Sequence, residues 1–379
     1  MIGGCPAKGG SDAGPALRIS PTRVRSIRRK LLRWYDRSAR DLPWRRRPGD
    51  VYAQWIAEVM LQQTRVETVL AYYARFLRRF PGVEALAAAP LDEVLKVWQG
   101  LGYYRRAENL HRAARIVAGR GGVWPETLEE WLELPGIGRY TAGAIVSIAF
   151  GRRAVAVDGN VARVLSRLTP VQSVVTRPPG RRIIEAVATR LLPVRRCGGF
   201  NQAWMDLGSA VCTPRAPQCE VCPLAEECEG RRRGLTDRLP VRQTRAAPRT
   251  EERVVAAVVD DDRLLMVQRG RGGRWPGLWE LPNADCNHKP HPRVLSDLLA
   301  DLSLPAAASC RCLGEVQHRL THRVYRFHVY LTLLPGGRGR RRSARGRRWV
   351  PATGANGLAI ATAHHRMLGR IRDELQAGR

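Results

Sequence analysis

A chain of 379 residues has room for two ordinary domains, each able to bury its own core. Its 64 Lys and Arg against 34 Asp and Glu leave a net charge of +30, which points to a polyanionic partner, nucleic acid first, against the plainer reading that Arg simply covers every solvated face. No apolar run of about eighteen residues occurs, which excludes a membrane-spanning helix; nine cysteines without an apolar leader suit a reducing compartment, where clustered thiols bind metal more often than they pair.

Residues 1–20, MIGGCPAKGGSDAGPALRIS, read as a flexible tail with no secretory apolar region. From Pro21 onward Val24, Ile27, Leu31, Leu32 and Tyr35 recur at helical spacing with Arg and Lys opposite. The same periodicity marks 51–80, 91–102, 141–150, 181–192 and 201–212, punctuated by Pro81, Pro90, Pro125 and Pro170. Residues 21–230 therefore read as one all-α domain. Apolar residues then nearly vanish in favour of Arg, Thr and Pro, which sets a linker at 231–252. From 253 to 379 the β-branched runs RVVAAVV, HRVYRFHVYLTLL and RRWVP, followed by a closing helix, describe an α+β domain.

Four motifs carry chemistry. In WIAEVMLQQT, Glu58 has apolar sequence neighbours; a helical Glu is ordinarily solvated, but buried it would hold a proton near neutral pH and could donate it. In LPGIGRYTAGAI (134–145) a Gly-x-Gly turn joins two helices. Gly136 and Gly138 permit positive φ and let backbone amides face a phosphate, although such turns are also plain connectors. In AVAVDGNVARVL, Asp158 follows an apolar run and precedes a helix, as an N-cap or as a carboxylate kept ionised near a developing positive charge. Cys212, Cys219, Cys222 and Cys228, spaced C-x6-C-x2-C-x5-C, suit a 4Fe-4S cluster better than zinc, which prefers two knuckles farther apart.

In this order EVMLQQT, GLGYYRRAENL, LPGIGRYTAGAI, DGNVARVL, FNQAWMDLG and the four cysteines resemble the helix-hairpin-helix DNA glycosylase superfamily with an iron-sulfur loop, over about residues 22–230. Endonuclease III, within that superfamily, has a lysine where this chain has Tyr140, so the resemblance implies a monofunctional enzyme of the adenine-specific branch. That branch also carries a C-terminal domain similar to Nudix hydrolases. The implied substrate is double-stranded DNA with adenine opposite 8-oxoguanine or guanine, the implied cofactor one 4Fe-4S cluster on Cys212, Cys219, Cys222 and Cys228. Implied roles follow residue by residue. Glu58 is the acid, Asp158 stabilises the sugar cation, and Asn160 and Tyr140 steady Asp158. Trp44, Arg45, Leu61, Gln202 and Met205 line the adenine pocket, with Gln202 on the Watson-Crick edge. Gln63 and Tyr103 wedge into the duplex, core packing being the alternative for Tyr103, and Gly136 and Gly138 meet phosphate. The second domain lacks an R-E-x-x-E-E run, so it is expected to read 8-oxoguanine rather than hydrolyse nucleotides. Thr321 and His322 would do so, within Leu320-Thr321-His322 where the family commonly has Phe-Ser-His. The expected protein is a monomer of the cytoplasm, at the nucleoid when on DNA, and away from membranes.

Overall fold

The computed structural model describes residues 19–241, 243, 247–270, 275–286, 289–335, 346–352, 355 and 357–377; residues 1–18 of the expected tail and 242 and 244–246 of the expected linker lie outside these. The helices are α1 (Pro21–Ser38), α2 (Val51–Leu61), α3 (Val66–Arg79), α4 (Val83–Ala88), α5 (Leu91–Trp98), α6 (Arg105–Gly119), α7 (Leu128–Leu132), α8 (Arg139–Ile148), α9 (Gly159–Leu168), α10 (Gly180–Leu191), α11 (Cys197–Ala210) and α12 (Glu229–Arg232). After them come β1 (Arg249–Asp260), β2 (Arg263–Gln268), β3 (Trp279–Glu280), β4 (Asn283–Asp285), α13 (His291–Asp301), β5 (Ser309–Arg319), β6 (Arg323–Leu333), β7 (Arg347–Pro351) and α14 (Thr362–Ala377). An all-α part followed by a mixed α+β part is the architecture that the periodicity predicts.

Several boundaries move for physical reasons. The tail ends early, because Ile19 is buried and the Ser20 hydroxyl caps α1 by accepting from the Arg23 amide at 3.2 Å. The single helix expected over 51–80 is two, since Gln63 takes φ +58, a left-handed conformation that ends α2. The helix expected over 91–102 stops at Trp98, two residues before Gly100 turns to φ +96. Both ends of the expected linker are structured, as α12 and as the first residues of β1.

Contacts divide the chain into two units, one holding the described residues of Met1–Gln63 and Arg120–Thr244, the other those of Thr64–Gly119 and Arg245–Arg379. In the first, α1, α9, α10 and α11 pack Ile27, Leu31, Leu165, Leu191 and Phe200 into one core that reaches Leu224 of the cysteine loop. A cluster of Trp55, Trp124 and Trp131 holds α2 and α7, with Trp124 stacked on Trp131 at 5.9 Å. In the second unit Phe76, Phe80 and Trp98 fix α3 and α5 edge to face. Its sheet runs β3-β2-β1-β6-β5, with β4 beside β1 and β7 beside β2; β1 and β6 are parallel and the remaining pairs antiparallel. Helix α14 covers one face through Met367 and Ile371, and α13 the other through Val294, Leu295 and Leu298. Among the described residues no helix is long and apolar enough to cross a membrane.

Candidate active site

Helix α2 is apolar on nearly every face and is buried whole, taking Glu58 in with it at 3 % exposure. A carboxyl so deep must be neutral or well supplied with donors. Gln54, one turn back, donates from Nε2 to Glu58 Oε1 at 2.8 Å, and the Tyr140 hydroxyl donates to Oε2 at 3.0 Å. Burial still dominates and pushes Glu58 up to about 7, against these two hydrogen bonds and Arg45, with the charge of Asp158 adding to the rise. Tyr140, in the first turn of α8, is itself held well above its ordinary value by burial and by the two carboxylates, so it stays a donor. Its hydroxyl also lies 3.7 Å from Met205 Sδ. Tyr140 lies near both carboxylates, and of the two it is Glu58 that accepts its proton.

Asp158 is the N-cap of α9. The Val161 amide donates to its Oδ1 at 2.7 Å and Asn160 Nδ2 to its Oδ2 at 3.1 Å. Burial lifts this carboxyl, while the Val161 amide at the helix end, the Asn160 hydrogen bonds and Arg163 restrain the rise. Arg163 fixes Asn160 in turn, with Nη2 2.8 Å from Asn160 Oδ1 and 2.7 Å from the Gly208 carbonyl, while its Nε reaches the Cys212 carbonyl at 2.9 Å. Tyr140 and Asp158 open on a groove whose other polar walls include Arg139, Arg152, Arg153 and Arg181. Glu58 and Gln202 do not line that groove.

The expected pocket residues sit on three elements. Trp44 and Arg45 belong to a short 3-10 turn (Pro43–Arg46), Leu61 ends α2, and Gln202 and Met205 are three apart on α11. Arg45 is committed elsewhere than to an open cavity: its Nη1 and Nη2 meet the two oxygens of buried Asp206 at 2.7 and 3.0 Å. Arg40 Nε joins the same carboxylate at 2.7 Å, and the Tyr35 hydroxyl donates to Gln202 Oε1. Burial would raise Asp206, but the two arginines outweigh it and hold the carboxyl below its ordinary range. Tyr35, Arg40 and Asp206 escaped the sequence reading. The available signal was Asp206, an acid inside the apolar stretch FNQAWMDLG.

At the hairpin only Gly136 has positive φ, at +81; Gly138 is extended at −103 because it is the N-cap of α8, with open space where a side chain would stand. Gln62 ties the end of α2 to this hairpin through Thr141 Oγ1 at 3.0 Å, and Gln63 beside it is exposed. In the second unit Tyr103 is 48 % exposed at φ +49, which removes core packing as its role. Arg106 lies over its ring at 5.5 Å and over Trp98 at 5.3 Å, and donates to the Gly102 carbonyl at 3.1 Å. Thr321 and His322 form the exposed two-residue turn between β5 and β6, closed by the Leu320 amide on the Arg323 carbonyl at 2.8 Å. Leu320 packs on the sheet core, and the Thr321 hydroxyl is 3.4 Å from that of Tyr103.

Cys212, Cys219, Cys222 and Cys228 line one small cavity walled by Val164, Leu168, Leu207 and Leu224. Among the described residues no three His, Cys, Asp or Glu side chains close to the spacing of a single-ion site. Four thiols around one cavity in C-x6-C-x2-C-x5-C spacing fit an iron-sulfur cluster better than the paired knuckles of a structural zinc. Burial pushes Cys222 up to about 12, and the other three sulfurs add to the rise, so as a free thiol it stays protonated; a bound metal would reverse this. Arg167 braces the loop from α9, with Nη1 3.3 Å from Cys212 Sγ and 2.7 Å from the Thr213 carbonyl.

Comparison with known proteins agrees with this geometry. Residues 56–189 match the HhH-GPD superfamily of base excision DNA repair proteins, residues 212–228 the iron-sulfur binding domain of endonuclease III, and residues 254–370 the NUDIX domain. The human adenine DNA glycosylase is 35 % identical over 397 residues, spanning 90 % of this chain and 73 % of that protein; the rat protein of the same name is 34 % identical, spanning 94 % and 79 %. The chain belongs to the adenine DNA glycosylase family. It is thus a DNA N-glycosylase of base excision repair, a hydrolase acting on DNA, with an iron-sulfur cluster loop. A thermostable thymine-DNA glycosylase of solved structure is 30 % identical, with a TM-score of 0.52 over 56 % of this chain and 98 % of its own. The adenine glycosylase therefore shares a scaffold with a protein named for another base, and its specificity must lie in side chains.

Proposed function

We propose that the enzyme removes adenine paired with 8-oxoguanine or guanine in duplex DNA, by flipping the adenine out and hydrolysing its N-glycosidic bond with acid assistance, and that it leaves the abasic strand uncut. The observation that carries this reading is the buried Glu58, which keeps a proton near pH 7 and whose Oε2 is oriented by the Tyr140 hydroxyl at 3.0 Å. Adenine is a poor leaving group as an anion. Protonation at N7 by Glu58 lets it leave neutral, and general acid assistance of this kind is worth about 10²- to 10⁴-fold. The departing bond leaves an oxocarbenium-like sugar, for which Asp158, restrained by Asn160 and the Val161 amide, is the anionic partner. Once deprotonated, Glu58 is placed to take a proton from the attacking water.

The absence of strand cleavage is supported by amine supply. A lyase needs an amine for a Schiff base. The chain has four lysines, at 8, 30, 96 and 289, and Tyr140 occupies the hairpin position. Lys30 is engaged with Glu226 and Glu227. The cluster is read as 4Fe-4S on the four cysteines; bound there, it supplies redox-capable iron but no open ligand position, so its contribution is to hold the loop. The Thr321–His322 turn beside Tyr103 is read as the reader of 8-oxoguanine, whose N7–H is a donor that guanine lacks. Helix α13, HPRVLSDLLAD, has no glutamate to hold divalent metal on a pyrophosphate, which supports a reading rather than a hydrolytic unit.

A duplex with one 8-oxoguanine–adenine pair tests this directly. Incubation followed by alkali should cut the adenine strand at that pair, and incubation alone should not. Cleavage without alkali, or none in either arm, would refute the proposal.

A further inference from the structure

We infer that Tyr35 sets the base selectivity of the adenine pocket by fixing which end of the Gln202 amide faces the base; the inference rests on the adenine-excision reading above. A Gln side chain can present an acceptor or a donor, and nothing in the residue itself decides which. Here Gln202 Oε1 is the sole hydrogen-bond partner of the Tyr35 hydroxyl among the described residues. A phenol can donate or accept, and this one donates to the Gln202 oxygen. Oε1 is therefore turned toward Tyr35, and the Nε2 amine is left with no partner among the described residues.

Two observations make this orientation durable. Burial raises Tyr35 above its ordinary value, so the phenol remains a donor at neutral pH. Its ring also lies under the Arg45 guanidinium at 5.5 Å, and Arg45 is held by both oxygens of Asp206. The free amine stands in the neighbourhood of the acid, for Met205, three residues along α11, meets the Tyr140 hydroxyl that holds Glu58.

The chemical consequence concerns the Watson-Crick edge. Adenine presents a bare N1, an acceptor, whereas guanine and hypoxanthine carry N1–H. We place that amine opposite N1, where it matches adenine and opposes guanine and hypoxanthine, and a donor meeting a donor in a desolvated site is strongly rejected. Without Tyr35 the amide turns over at little cost and accepts as readily as it donates.

The test compares single-turnover release of adenine and of hypoxanthine, each opposite 8-oxoguanine in the same duplex. Wild type should strongly prefer adenine. Tyr35→Phe keeps the ring under Arg45 and should lower the adenine-to-hypoxanthine ratio by about tenfold, the scale of one oriented hydrogen bond. Gln202→Glu, which presents only acceptors, should shift the ratio the same way and further. A structural defect alone would slow both bases equally. Ratios unchanged in Tyr35→Phe, or equal slowing of both bases, would overturn the inference while wild-type adenine release left the adenine-excision reading intact; wild type that releases no adenine would overturn both.

Discussion

Glu58 carries a stability consequence as well as a chemical one. Its carboxyl is raised from an ordinary 4.5 to about 7, so the folded chain binds this proton more tightly than the unfolded chain does. The stabilisation is fully present below about pH 4.5 and is lost as pH rises through 7, a swing of about 3 kcal/mol. Glu58→Gln removes the titration and keeps the shape. It should be more stable than wild type at pH 8 by about 2–3 kcal/mol in urea melts and show a flatter stability profile, while releasing adenine about 10²- to 10⁴-fold more slowly. Single-turnover rates of the wild type should likewise fall as pH rises past about 7, where the acid loses its proton. A Glu58→Gln variant less stable at pH 8, or a wild-type rate that climbs through pH 8, would remove Glu58 from the acid role. Glu58 and Asp158 were legible because each interrupts or ends an apolar run. Tyr35 was not, since its helical spacing reads equally well as a packing residue, and its hydroxyl finds Gln202 only after 167 residues of chain have folded back.

Helix α9 links the candidate catalytic carboxylate to the iron-sulfur loop within ten residues. Asp158 caps it and its first turn carries Asn160, and Arg163 and Arg167, four apart on one face, reach the Cys212 carbonyl and thiol. Helix α11 approaches it so closely that a Cβ at Gly208 would stand 2.8 Å from Asn160 Cβ. Gly208→Ala must therefore displace Asn160 or separate the helices, at a cost of about 1–3 kcal/mol. Because Asn160 donates to Asp158, adenine release should suffer beyond what the loss of folded protein explains, visible as a lowered rate per correctly folded molecule at 20 °C. Wild-type rates in the folded fraction would show that Asn160 does not steady Asp158. Element types were legible in most segments with an apolar face, although α13, apolar through Val294, Leu295 and Leu298, was not assigned. Strand β5 was missed because its residues are almost all exposed and give no alternation, and the break between α2 and α3 was missed because Gln63 has no sequence mark of a positive φ.

The net charge of +30 exceeds any need of the chemistry, which uses a handful of side chains. Much of it is spent on internal pairing, as with Arg40, Arg45, Arg163 and Arg167, whose guanidinium groups hold carboxylates, carbonyls and a thiol. Exposed arginines remain, among them Arg139, Arg152, Arg153 and Arg181 along the groove at Tyr140 and Asp158, with Arg152 and Arg181 paired at the surface to Glu126 and Glu185. Phosphate contacts made by such residues release counterions, so log Kd should rise steeply and linearly with log salt; six to ten contacts weaken binding by about 10³- to 10⁵-fold between 50 and 200 mM. The same contacts carry no base information. Tyr35→Phe and Gln202→Glu should therefore leave the salt slope for undamaged duplex unchanged, whereas Arg139→Ala with Arg153→Ala should reduce it by about one to two units. Fluorescence anisotropy across a salt series measures both. A slope altered by the pocket variants, or indifferent to the paired arginine change, would mean that selectivity and general DNA affinity do not reside in separate parts of the molecule.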